Sequence, residues 1–135
     1  MSLLDSVVVP VAESADAAAT ADALAPLEPR EVVVVYVVEK TGGAPDQASV
    51  DQREMEAEEA FDAFRDRFPD AESEVRYGTD VVEQVFAAAD ESGATAVAFR
   101  PRPGSRLVRL VSGDYALTLV TENDLPVVSL PKPDA

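Results

Sequence analysis

The chain has no cysteine and no histidine. Without cysteine there is neither a disulfide framework nor thiol chemistry. Without histidine, Ser-His-Asp catalysis, HExxH metal sites and the usual proton shuttle near neutral pH fall away. Lysine is nearly missing too, since nine of the 11 basic residues are arginine. No uninterrupted apolar run approaches the length of a membrane span, and the N-terminus lacks the basic start of a signal peptide. A soluble, cytoplasmic protein is the expectation.

What the chain does have is acid. Against 11 bases stand 26 carboxylates, a formal net charge of −15 over 135 residues. Such a field disfavours binding to nucleic acid or to an anionic membrane. The acids are spread along the whole chain, which reads as adaptation to high salt rather than as one acidic function. The length suits one domain over residues 1–135, large enough to bury a core without metals or cross-links.

Short β-branched runs alternate with longer helical patterns. The strand candidates are Ser6 to Ala12, Glu31 to Val38, Glu72 to Tyr77, Thr95 to Phe99 and Pro126 to Leu130. The first two are nearly continuous apolar runs, as expected where both faces of a parallel sheet are covered. Charged Glu74 and Arg76 place the third nearer an edge. Pro10 cannot donate to a ladder, so it is tolerable only where the first strand is ending.

The helix candidates are Ser14 to Ala25, Ser49 to Phe68, Asp80 to Ser92 and Ser112 to Glu122. In the first, Ala17, Ala18, Ala21, Leu24 and Ala25 form the inner face, with Asp16 and Asp22 off it. The second opens on a Ser49/Gln52 capping signature and buries Val50, Ala57, Phe61, Phe64 and Phe68. The third starts with Asp80 and Glu83 and closes at Gly93. Strict alternation predicts an α/β sandwich on a parallel sheet, whose ligands sit beyond the strand C-termini where winding reverses. That edge gathers Ala12, Glu13, Val37 to Glu39, Gly78 and Arg100 to Arg106.

Other side chains have plainer roles. Glu54, Glu56, Glu58, Glu59 and Asp62 form a solvated helix face rather than a metal site. Tyr36 and Tyr77 read as sheet residues and Tyr115 as lining the crevice. Ser14 and Ser105 have no base to activate them and read as capping and loop residues. No catalytic residue and no metal ligand is assigned.

The segment FRPRPGSRLVRLVSGD, Phe99 to Asp114, has the order strand, loop, helix N-terminus that cradles phosphate with main-chain N–H groups. With VVVPVAES, VVVVYVVE, YGTDVVEQVFAAADESGATAVAF and RLVRLVSGDYALTLVTENDLPVVSLP in that order, the chain resembles the universal stress protein family over essentially its whole length. The resemblance implies a three-layer, doubly wound α/β fold with a five-stranded parallel sheet in the order 3-2-1-4-5. It also implies a role as a stress-response regulatory or binding module, not an enzyme, and a homodimer formed through the last strand, Pro126 to Leu130.

Nucleotide-binding members of that family carry Gly-x2-Gly-x9-Gly followed by Ser or Thr. Aligned on Gly113, the first two glycine positions fall on Arg100 and Pro103 and the Ser/Thr position on Asp114. The acid that usually ends the first strand falls on Ala12. Val37 and Phe99 fall on apolar base-contacting positions and stay apolar.

Pro103 adds bulk and removes an N–H donor where main chain must approach phosphate. Asp114 suits a helix N-cap; about 5 Å from a phosphate charge it opposes it by about 3 kcal/mol at an effective dielectric near 20. Arg102 or Arg106, with Ser105 beside them as a further anion contact, returns about 1.5–3 kcal/mol per charge-assisted hydrogen bond. The charges nearly balance; the lost glycines and Ala12 tip the expectation against ATP or AMP bound in the family's usual manner, and no cofactor is assigned.

Arg100, Arg102, Arg106 and Arg109 are four of the 11 bases within ten residues. Two readings stay open. Either they form an anion or protein-partner site, or they pair with neighbouring acids such as Asp114 and Glu13 and hold an empty loop in place. An alternative function is a divergent adenine-nucleotide binder whose arginines grip the phosphates.

Overall fold

The computed structural model describes residues 4–39, 47–78, 80–100 and 125–130, with main chain only at 39 and 47–49. The elements run β1 (Ser6–Pro10), α1 (Ser14–Leu24), a 3-10 turn (Ala25–Leu27), β2 (Glu31–Glu39), α2 (Gln47–Arg65), β3 (Glu72–Gly78), α3 (Val81–Ser92), β4 (Ala96–Phe99) and β5 (Val127–Ser129). The five strands form one parallel sheet in the order β3-β2-β1-β4-β5. This is the expected architecture. The fourth expected helix, Ser112 to Glu122, lies outside the described residues.

β-Strand alternation sorts the valines onto two cores. Val7, Val9, Val34, Tyr36 and Val38 face α1 and α2, meeting Ala17, Ala21, Leu24, Phe61 and Phe64. Val8, Val35, Val97 and Phe99 face α3 and meet Val82, Val85 and Phe86. Central β1 and β4 are buried on both sides, which is why their sequences are apolar without a break. Thr95 pins their starting ends together: its hydroxyl donates to Ser6 O (2.9 Å) and accepts from Ser6 N (3.0 Å).

Several boundaries differ from expectation. β1 stops at Pro10, two residues early: the proline ring supplies no donor to the ladder, and the Val11 N–H makes the last bond to β2, reaching Val35 O at 2.9 Å. α1 starts behind Glu13, which is its N-cap without a side-chain bond, so Ser14 is the first helical residue and not the cap. α2 begins at Gln47, placing Ser49 inside the helix, and it ends at Arg65. Phe68 lies beyond that end, half-buried and stacked on Phe64 with ring centroids 5.2 Å apart. Val50 is half-buried as well.

α3 follows its signals closely. The Asp80 carboxylate accepts from Glu83 N–H at 3.2 Å, and Gly93 closes the helix in the left-handed conformation at φ 71°.

Candidate functional site

In this topology β1 is flanked by β2 on one side and β4 on the other, so the chain reverses its winding direction between β1 and β4. Beyond the C-terminal ends of those two strands is the crevice where parallel sheets hold ligands. Three residues converge there. Ala12 follows β1, Asp16 stands in the first turn of α1, and Arg100 follows β4 directly.

Asp16 joins the other two. Its Oδ2 accepts from the Ala12 N–H at 2.8 Å, and its Oδ1 accepts from Arg100 Nη2 at 3.0 Å. Both side chains are withdrawn from water, at 7% exposure for Asp16 and 15% for Arg100. Thr20 completes the support by donating its hydroxyl to the Asp16 carbonyl at 2.7 Å. The Arg100 guanidinium is only partly used: its Nε–H is sealed from solvent and meets no acceptor among the described residues.

Asp16 was expected off the buried face of α1; the structure places it on that face with Ala17, Thr20, Ala21 and Leu24. Ala18 is half-buried, and Ala25 belongs to the following turn. Arg100 does pair with an acid, but the acid is Asp16 rather than Glu13. A carboxylate therefore stands at the end of the first strand even though position 12 is alanine; it reaches back from four residues along. Periodicity could not find this pair, because its members lie 84 residues apart.

The other expected positions separate. Phe99 is 1% exposed and belongs to the core under α3, while Val37 is half-buried against the same cluster. Both lie on the sheet face opposite the core formed with α1 and α2. Arg102, Pro103, Ser105, Arg106, Arg109, Gly113, Asp114 and Tyr115 lie outside the described residues.

At the sheet edge, Gly78 closes β3. A Cβ there would come within 2.6–2.9 Å of the Gln84 side chain, so glycine leaves room for that side chain to lie over the end of the strand. Gln84 Oε1 accepts from Arg76 Nε at 3.0 Å, and Arg76 also bridges Glu74 and Glu91, each at 2.7 Å. Burial alone lowers the Arg76 pKa; the hydrogen bonds to Glu91 and Glu74 outweigh it and raise the value overall.

Glu58 and Asp62 are exposed on α2, as a solvated face requires. Among the described residues, no group of three or more acids is arranged to hold a metal ion, and no helix is long and apolar enough to cross a membrane.

The fold so defined is that of the universal stress proteins. The universal stress protein of Archaeoglobus fulgidus in complex with dAMP matches 96% of this chain and 100% of its own, at TM-score 0.62 and 18% identity. A universal stress protein in complex with cAMP matches with 98% and 100% covered, TM-score 0.62 and 17% identity. A member of the same family from Burkholderia pseudomallei matches with 97% and 98% covered, TM-score 0.62 and 21% identity. No protein-family model matches the chain, and no curated protein does.

Proposed function

We propose that the chain is a universal stress protein-type binding module of the stress response, cytoplasmic and without an activity of its own, in which the usual ATP site is degraded. The observation that carries this reading is the Asp16–Arg100 pair across the ends of β1 and β4. It fills the switch point with an internal ion pair at the step where the family motif has its first glycine. Arginine in that place brings a long side chain to a position that otherwise lets bare main chain approach phosphate. Calorimetry with Mg-ATP, ADP and AMP in molar KCl tests the reading: no micromolar binding is expected, and micromolar capture of Mg-ATP overturns it.

The neighbours in complex with dAMP and cAMP favour a second reading, a divergent nucleotide binder whose phosphates are held by Arg102 and Arg106. Under it, wild-type protein binds AMP, and the Arg102→Ala/Arg106→Ala variant does not.

The same proposal makes the protein a homodimer through β5. Val97 N–H reaches Pro126 O and Leu130 N–H reaches Phe99 O, so the even-numbered residues of this segment bond to β4. The main-chain groups of Val127 and Ser129 then face the outer edge, ready to pair with one further strand. Ser129→Pro removes an outward donor while sparing the β4 ladder. Sedimentation velocity is expected to show a dimer for wild type and a monomer for this variant.

A further inference from the structure

We propose that Asp16 is an internal stand-in for a small oxyanion of the phosphate type, holding the Arg100 guanidinium in a site that such an anion takes when the carboxylate is neutralised. Three observations support this. The guanidinium is carried by the residue that directly follows β4 and is largely withdrawn from water, where a charge-assisted hydrogen bond is strong. Its Nε–H has no acceptor among the described residues, so it has capacity for an oxygen that Asp16 does not supply. And Ala12 N–H, already donating to the same carboxylate at 2.8 Å, adds a main-chain donor on the side of β1. A carboxylate with one oxygen on Ala12 N–H and the other on Arg100 is itself an oxyanion in an oxyanion's place.

The inference rests on the proposal that the crevice no longer takes ATP in the family's manner, but it fails separately from it. Mg-ATP binding by wild type overturns that proposal; the behaviour of Asp16 variants toward inorganic phosphate decides this one. Asp16→Asn keeps an acceptor for the Ala12 N–H and removes the competing charge.

Phosphate affinity, measured by calorimetry in molar KCl, is expected to rise at least tenfold over wild type. The gain should vanish in Asp16→Asn/Arg100→Gln. A folded Asp16→Asn protein with wild-type phosphate affinity overturns the inference, as does a gain that persists in the double variant. Should Asp16→Asn not fold, Asp16→Ser keeps a short acceptor and is measured in the same way. In Asp16→Asn protein, high phosphate is expected to move the NMR resonances of Arg100 Nε–H and Ala12 N–H, where KCl of equal ionic strength does not. Resonances that do not move overturn the proposal independently of the affinity measurement.

Discussion

Asp16 does two jobs with one carboxylate, and removing it exposes both. Arg100 would keep its charge in a largely buried place, a loss of about 3–5 kcal/mol for a broken buried pair. Replacing both members with apolar residues removes the uncompensated charge along with its partner. A denaturant-unfolding cycle is therefore expected to find Asp16→Ala strongly destabilised and Asp16→Ala/Arg100→Met largely recovered. A double variant no more stable than the single one would mean that the Ala12 hydrogen bond, not the ion pair, carries the stability.

Tyrosine is the other informative residue type. Burial pushes the Tyr36 phenol above its ordinary value of 10.0, opposed by the hydrogen bond from Arg53 and reinforced by Glu56. Burial and Glu54 do the same at Tyr77, which is more exposed. In the unfolded chain these phenols ionise first, so the unfolded state holds fewer protons in alkali. Their contribution is complete below pH about 10 and falls away as pH rises through the raised folded values. Tyr36→Phe is expected to lose less stability between neutral pH and strong alkali than wild type, as read from urea midpoints.

Among the elements, α3 was the most legible. A carboxylate cap at Asp80, apolar residues at helical spacing and a closing glycine all act within one element, and the structure follows each of them. Asp80→Ala is expected to cost about 1 kcal/mol for the lost cap. Gly93→Ala meets no steric neighbour, so its cost, also about 1 kcal/mol, comes from the left-handed backbone alone. Thermal unfolding of the two single variants checks both values.

α2 was less legible. Ser49 and Gln52 have the letters of a capping box, yet the helix runs on to Gln47, since a local signature does not exclude a turn added ahead of it. β1 was read two residues too long because Val11 and Ala12 continue an apolar run that only the proline interrupts. Asp16 was the substantive miss. It is buried with the guanidinium of a residue 84 positions along the chain on its carboxylate, and no local pattern encodes that partner.

For the whole molecule, the layering on a parallel sheet follows from a few rules acting on alternating segments, whereas the strand order 3-2-1-4-5 was legible only through the family resemblance. The crevice at the winding reversal was as predictable as the layering, but its contents depend on side-chain pairs between elements. The net charge of −15 also acts at this scale, by self-repulsion that salt screens. Raising KCl from low to molar concentration is expected to increase the unfolding temperature, and a flat or falling trend would contradict adaptation to high salt.

A crystal structure of protein purified without added nucleotide and grown from molar KCl tests the central claim most directly. The account predicts Asp16 and Arg100 joined across the ends of β1 and β4, with no nucleotide density above Ala12. Density for an adenine nucleotide at that edge, with the two side chains parted, would contradict it.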